Sequence, residues 1–217
     1  GSRSDEFAKR LRGVTYEEIA LEGGGIQRTM NATRAASFDE LVERGMRLAQ
    51  SAISLGTTTI EVKSGYGFTT ETELRQLQAI RELKRILPID VVATFLGAHD
   101  FPPEYKGNRS GYVDLLCNEM IPQVAERGLA EFCDAFVDRG YYTLDQADRI
   151  MKTAQKFGLK VKMHCDELAD VSAAAKAAEL GAISADHLLF VSDESLEKMK
   201  QSGTIATLLP ATAYNIR

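Results

Sequence analysis

Residues 144–187 decide the fold class, and they read LDQADRIMKTAQKFGLKVKMHCDELADVSAAAKAAELGAISADH. Leu144–Phe157 has the apolar spacing of an amphipathic helix, and Lys160–His164 is a short β-rich run. Gly181 lies where the residue just past a helix end is expected, and a second β-rich run, Ile183–His187, follows it. Strands that alternate with helices in this way form βαβ units, so this stretch predicts a parallel sheet.

The same alternation continues on both sides of this stretch. Helices are predicted at Thr72–Leu87 and Glu194–Ser202, and Gly158 and Gly203 also fall just past helix ends. Residues 1–37 contain shorter helical pieces: Glu6–Leu11, Tyr16–Leu21 and Met30–Ala36. Six strand candidates share the near-continuous apolar composition of parallel strands that are buried on both faces: Thr58–Val62, Val91–Gly97, Glu131–Val137, Lys160–His164, Ile183–His187 and Thr204–Leu209.

The number of strands leaves two architectures open. A closed (β/α)8 barrel needs eight strands, so six candidates fit either an open doubly wound sheet or a barrel without two of its strands. The polar residues favour the barrel, because Lys63, His99, His164 and His187 each lie at or just after the C-terminal end of a strand. Active-site residues occupy that end of a barrel, whereas an open sheet gathers them where the strand order reverses. We therefore predict an incomplete TIM-type barrel.

The composition excludes several classes of partner. The chain has 217 residues, of which 44% are hydrophobic, enough for one domain with a sizeable core. Its net charge is −5 with both signs interspersed, so we expect no nucleic-acid partner and no membrane partner. Three cysteines without a pairing pattern favour a reducing compartment, and the expected location is the cytoplasm. The sequence is compatible with a homodimer.

All three histidines of the chain end strand candidates. Neutral imidazole is the commonest metal ligand in proteins, and a strand end holds it rigidly, so His164 is a candidate ligand. Glu167 follows three residues later and can enter the same pocket. Two neighbouring carboxylates keep alternatives open. Asp166 either acts chemically or caps the next helix, and Asp186 either orients a neighbouring side chain or makes a loop hydrogen bond.

Six strings of residues, in order along the chain, resemble the imidazolonepropionase family of the amidohydrolase superfamily. They are Gly23–Ile26 with Ala32–Ser37, Glu61–Gly67, Phe95–His99 with Pro102–Tyr105, His164–Glu167, Ser184–His187 and Leu208–Pro210. The resemblance implies a barrel with a small β-sandwich built from both termini, and one zinc or iron ion. It also implies hydrolysis of 4-imidazolone-5-propanoate to N-formimidoyl-L-glutamate, in histidine degradation, by a metal-activated water.

The resemblance also implies roles for individual residues. His164 matches a metal-binding histidine, and Glu167 matches an acidic residue that orients the nucleophilic water or the substrate ring. His187 matches a histidine that polarises the ring carbonyl or holds the hydroxide. Tyr66 and His99 match residues that contact the substrate.

Arg3 matches an arginine that grips the propanoate carboxylate of the substrate. A guanidinium group suits a carboxylate, because the two form parallel charge-assisted hydrogen bonds.

The sequence also departs from the family pattern. It begins after the His-x-His of the family's first strand and stops before the aspartate of the eighth strand. The expectation is therefore the central part of a metal-dependent hydrolase, with residues 1–37 as a long active-site loop region and residues 38–217 as the β/α units. The β-sandwich and the remaining metal ligands are expected outside the chain, which is then inactive alone.

Two rival functions stay open. One is another cyclic-amide hydrolase or a deaminase of the same superfamily, which is expected to lack the set of Tyr66, His99 and Arg3. The other is a non-catalytic fragment or binding module, which metal content would discriminate. Fold alone does not decide between them, because barrels host many chemistries.

Overall fold

Six parallel strands form one sheet in the computed structural model, which describes residues 4–14 and 25–216. The strands are β1 (Thr59–Lys63), β2 (Asp90–Ala98), β3 (Phe132–Val137), β4 (Lys160–Cys165), β5 (Ser184–His187) and β6 (Ile205–Thr207). Every predicted strand is therefore present, with its ends shifted by two residues at most.

The order of the strands decides between the two architectures. Each strand pairs with the next one along the chain, from β1 to β6, and every pairing is parallel. A doubly wound sheet would reverse this order at a switch point, and no reversal occurs among the six strands described. The prediction of an incomplete TIM-type barrel is confirmed.

Side-chain contacts across the sheet show that it curls. Strands β1 and β5 are four strand spacings apart, roughly 19 Å in a flat sheet. Nevertheless Lys63 Nζ on β1 lies 3.2 Å from Asp186 Oδ2 on β5. Lys162 on β4 likewise reaches Glu61 on β1, with 2.9 Å between Nζ and Oε2. These charged side chains therefore line a concave inner face.

Three of the helices precede β1, one follows β6, and the others connect successive strands along the outer face of the sheet. The helices are α1 (Ser4–Leu11), α2 (Gly25–Ala35), α3 (Phe38–Ser54), α4 (Thr70–Ile86), α5 (Arg109–Leu115), α6 (Ile121–Glu126), α7 (Leu144–Lys156), α8 (Ala173–Glu179), α9 (Asp193–Ser202) and α10 (Pro210–Ile216). Predicted helices correspond to α1, α2, α4, α7 and α9, whereas Tyr16–Leu21 lies outside the described residues. Within residues 4–14 and 25–216, no helix combines the length and apolarity needed to cross a bilayer.

Local sequence explains where these helices begin and end. Ser37 and Glu40 form a capping box at the start of α3, and Thr143 and Gln146 form another at the start of α7. The predicted glycines after helices all adopt the left-handed conformation: Gly158 (φ +83°), Gly181 (φ +66°) and Gly203 (φ +77°).

The core lies between the outer face of the sheet and the helices. On α4, residues spaced three apart are all buried: Leu74, Leu77, Ile80 and Leu83. On β3, Cys133 and Ala135 belong to this core, whereas Asp134 between them contacts Lys63 on the inner face. The alternation along the strands thus separates an apolar outer face from a charged interior.

Candidate active site

The three histidines lie close together at the C-terminal ends of β2, β4 and β5. The ring centroids of His99 and His164 are 6.0 Å apart, and those of His164 and His187 are 5.0 Å apart. Lys63, at the end of β1, joins the group because it and His164 both contact Asp134. The prediction that these four residues share one mouth of the barrel is confirmed.

His164 is held by a buried carboxylate. Its Nδ1–H donates to Asp134 Oδ1 at 3.0 Å, and Asp134 has no solvent exposure. Although burial alone would raise the pKa of Asp134, the adjacent His164 ring and Lys63 ammonium hold that pKa well below its usual range. An ionised Asp134 keeps the proton on Nδ1, so His164 Nε2 remains as a lone-pair donor, which is the usual arrangement of a metal-binding histidine.

Among the described residues, the group best suited to hold a cation consists of Asp134, His164 and Asp186. Their ligand atoms lie within 4.8 Å of one another. However, Lys63 Nζ already lies 2.6 Å from Asp134 Oδ2 and 3.2 Å from Asp186 Oδ2. Burial acts to lower the pKa of Lys63, but the attraction of these carboxylates outweighs burial and raises that pKa. Lys63 is therefore an ammonium ion that neutralises the two carboxylates. His164 therefore fits a metal ion through Nε2, with the carboxylates as supporting groups.

Sequence reasoning missed Asp134, although a signal was present. It is the only charged residue in Phe-Cys-Asp-Ala-Phe-Val, the sequence of β3. A lone charge in a buried strand requires a partner, because an unpaired buried charge is strongly unfavourable. Asp186, which was left open between two roles, contacts Lys63 and accepts from the Ser184 hydroxyl at 2.7 Å.

His187 lies in a strained segment at the end of β5. His187 and Leu188 both have left-handed backbone angles, with φ of +78° and +62°. Such angles are unfavourable for residues other than glycine and are found preferentially at functional sites. Burial, and next the nearby His164, lower the pKa of His187 to about 4, so its ring is neutral near pH 7.

The carboxylate of Glu167 lies next to His187. Glu167 Oε1 is 3.1 Å from His187 Nδ1, but the two atoms are not aligned for a hydrogen bond. The buried Nδ1 therefore lacks a hydrogen-bond partner among the described residues. Burial also raises the pKa of Glu167. A neutral imidazole beside a carboxyl group with a raised pKa is an arrangement suited to proton transfer.

A neighbouring loop fixes the backbone at Glu167. The buried carboxylate of Asp138, just after β3, accepts the N–H groups of Glu167 and Leu168, each at 2.8 Å. Asp166 has a different function, which settles the alternative in favour of a cap. Its carboxylate accepts the N–H groups of Ala173 and Ala174, the first two residues of α8, and that of Val171 just before the helix.

Tyr66 and His99 meet on the opposite side of His164 from His187. Their rings form an edge-to-face pair with centroids 4.9 Å apart. His99 Nδ1–H donates to the Gly65 carbonyl at 3.1 Å, which fixes the ring tautomer. Arg3, the sixth predicted site residue, lies outside the described residues.

We expect the half-buried His99 ring to stay neutral well below the pH at which a histidine ordinarily becomes protonated. Burial first, and His164 second, lower its pKa from 6.5 to about 4. The unfolded chain therefore binds more protons than the folded chain between about pH 6.5 and 4, and the folded state loses stability as pH falls through that window. A ring NMR titration measures the pKa directly, and a midpoint near 6.5 would contradict the prediction. Urea midpoints should depend less on pH in His99→Gln.

Comparison with curated sequences finds close relatives over nearly the whole chain. An imidazolonepropionase of Symbiobacterium thermophilum is 55% identical over 216 residues, which cover 99% of this chain and 51% of the relative. An imidazolonepropionase of Alkaliphilus metalliredigens is 49% identical over 216 residues, with 100% and 51% covered. The chain belongs to the imidazolonepropionase family. It spans about half the length of the curated relatives it matches.

Solved structures support the fold of this imidazolonepropionase-family chain. A guanine deaminase from C. acetobutylicum superposes with a TM-score of 0.60 at 13% identity, covering 86% of this chain and 47% of the deaminase. The N6-methyl-AMP deaminase from Arabidopsis thaliana gives a TM-score of 0.60 at 12% identity, with 83% and 55% covered. Identities this low carry information on the fold alone. A comparison with models of known protein families finds no match.

Proposed function

We propose that the complete enzyme carrying this sequence hydrolyses the ring amide of 4-imidazolone-5-propanoate to N-formimidoyl-L-glutamate, a step of histidine degradation. The observation that carries the proposal is the juxtaposition of His164, His187 and Glu167 at adjacent strand ends. This arrangement occurs in a chain that is 55% identical to an imidazolonepropionase. Sequence identity favours the substrate, and the side-chain arrangement favours the reaction.

His164 is the residue of this chain that would hold the metal ion, zinc or iron, through Nε2. Asp134 supports that role, because it fixes the His164 tautomer and is itself held by Lys63. When bound, the ion supplies activation of water as a nucleophile at neutral pH.

His187 and Glu167 supply the proton chemistry in this proposal. Attack of water on an amide carbonyl places negative charge on the carbonyl oxygen, and a neutral imidazole can donate a hydrogen bond to it. Opening of the ring then requires a proton on the departing nitrogen. Glu167 is suited to move that proton through Oε1, because burial raises the pKa of its carboxyl group.

Tyr66 and His99 are proposed to contact the small-molecule substrate. They stand together at the mouth, and the neutral His99 ring has one nitrogen already engaged by Gly65. We also propose a cytoplasmic location, because Cys117, Cys133 and Cys165 are buried and free, as is usual in a reducing compartment. We propose in addition that the protein can form a homodimer.

Arg3→Ala in the complete enzyme is expected to raise KM for the propanoate substrate far more than it lowers kcat. The carboxylate is remote from the reacting carbonyl, so its contact stabilises substrate and transition state alike. Steady-state kinetics separates the two constants. An unchanged KM would show that Arg3 has another function.

A substrate panel tests the proposed function. The complete enzyme, supplied with zinc or iron, should open 4-imidazolone-5-propanoate in preference to a hydantoin or an aminopurine. Preference for the hydantoin would favour a different cyclic-amide hydrolase, and ammonia release from the purine would favour a deaminase. No turnover of any of them by metal-loaded enzyme would favour a binding module.

A further inference from the structure

The loop Ser64–Phe68, between β1 and α4, adopts a backbone conformation that contacts from other residues must stabilise. Gly65 has φ +109°, and a Cβ at this position would lie 2.6 Å from the Leu96 carbonyl oxygen. Phe68, which is not a glycine, has φ +59° and is buried. Left-handed angles of this kind persist only where surrounding contacts enforce them. Since Tyr66 lies within the loop, those contacts also set the position of its ring.

Glu73, on α4, provides one set of contacts. Its side chain is fully buried, and its two oxygens accept the loop N–H groups of Gly65 at 2.9 Å, Gly67 at 2.7 Å and Phe68 at 2.9 Å. Gln76 Nε2 donates to the same carboxylate at 3.3 Å. Among the described residues no cation pairs with Glu73, so backbone dipoles hold this buried group, as they do in an anion-binding nest.

Two other side chains bind the loop carbonyls. Arg34 Nε, on α2, donates to the Gly67 carbonyl at 2.7 Å. The Gly65 carbonyl accepts from His99 Nδ1 at 3.1 Å, so the peptide groups next to Tyr66 also fix the His99 ring. The path from Glu73 through Gly65 therefore reaches both proposed substrate-contacting side chains.

We propose that Glu73 and Arg34 are positioning residues for substrate binding, which hold the loop Ser64–Phe68 so that Tyr66 and His99 are preorganised. This inference rests on the proposed function, because it requires those two side chains to contact the substrate. Neither Glu73 nor Arg34 needs to touch the substrate. Their loss should therefore weaken substrate binding while the proton-transfer pair, Glu167 and His187, remains intact.

Amide hydrogen exchange on the complete enzyme tests the contact itself, independently of activity. Glu73→Gln keeps the shape of the side chain but turns one acceptor into an NH2 donor that faces backbone N–H groups. Exchange at one or more of Gly65, Gly67 and Phe68 should accelerate at least about tenfold, since a buried donor loses its partner. Amides of β3 and β4 should be unaffected. The matched control is Glu71→Gln, an exposed carboxylate on the same helix.

Steady-state kinetics tests the consequence for binding. In Glu73→Gln, KM should rise at least about fivefold with kcat within about twofold of wild type, the signature of lost uniform binding. Arg34→Gln should shift KM in the same direction, whereas Glu104→Gln, which removes only the exposed ion pair of Arg34, should not. An unchanged KM in both Glu73→Gln and Arg34→Gln overturns the inference, as does unchanged exchange.

Two further outcomes have separate meanings. If Glu73→Gln does not fold, Arg34→Gln carries the test, and an unchanged KM in that variant overturns the inference. If the wild-type enzyme turns over no imidazolone, the proposed function fails and the inference fails with it. The exchange result then still reports whether Glu73 holds the loop.

Discussion

His187→Ala is expected to lower kcat of the complete enzyme at least about a hundredfold, the scale on which one oxyanion contact acts. The ring occupies a strained strand end, is neutral near pH 7, and has a buried Nδ1 without a hydrogen-bond partner among the described residues. Alanine removes the ring, and we expect β5 to keep its fold because backbone groups make its pairing with β4 and β6. The measurement is kcat at saturating substrate near neutral pH, with far-UV circular dichroism as a check on folding.

Glu167→Gln should produce a loss of similar size, because the amide preserves shape but cannot transfer a proton. Its backbone remains anchored by Asp138, so the change reports the carboxyl group and not the loop. Glu126→Gln, at an exposed glutamate, is the matched control and should stay within about twofold of wild type.

Because His187 and Glu167 are expected to act as a unit, the double variant should be little worse than the poorer single variant. Near-wild-type turnover in either single variant would remove that residue from the mechanism.

The outline of the fold was predictable because its signals are local. A buried parallel strand shows itself as an apolar run, and a helix end as a glycine in the left-handed region, as at Gly158 and Gly203. The histidines were found for the same reason, since each lies at or just after the end of a strand candidate. The roles assigned to all six site residues, Tyr66 and Arg3 among them, came from the family resemblance and stay predictions.

The supporting carboxylates could not be predicted in the same way, because their partners are distant in sequence or belong to the backbone. Asp134 pairs with Lys63, 71 positions away, and Asp138 binds N–H groups about 30 positions away. Glu73 resembles an ordinary acidic residue in the first turn of a helix, and only the folded loop reveals that it is fully buried. Periodicity identifies which face a residue occupies but not which group it meets there.

As a separate polypeptide, these 217 residues are expected neither to retain a metal ion nor to hydrolyse the substrate. A catalytic zinc site usually takes three protein ligands and a water. Within residues 4–14 and 25–216, His164 offers Nε2, but Asp134 and Asp186 are already bound to Lys63. Recruiting both carboxylates would take the two nearest partners from the half-buried Lys63 ammonium ion and leave it only Glu61 at 3.6 Å, which is unfavourable.

Metal analysis after gel filtration, together with an activity assay, measures this directly. Less than about one tenth of an equivalent of zinc or iron should remain, and turnover should be at background, since one histidine alone holds such ions weakly. Lys63→Met is the informative comparison. It removes the Lys63 ammonium ion from Asp134 and Asp186 beside His164, so this variant should retain more metal than the parent without gaining turnover. Stoichiometric metal and full activity in the unmodified polypeptide would show that the ligands lie elsewhere.

The edges of the sheet lead to a further expectation about the separate polypeptide. Strands β1 and β6 each pair on one side only among the described residues. Ile205, on β6, and Leu208, just after it, are 60% and 70% exposed. Unpaired edges with exposed apolar residues favour association with another strand. The separate polypeptide should therefore self-associate with increasing concentration in sedimentation velocity, and Ile205→Lys should reduce that association. A strictly monomeric polypeptide at high concentration would show that these edges are protected.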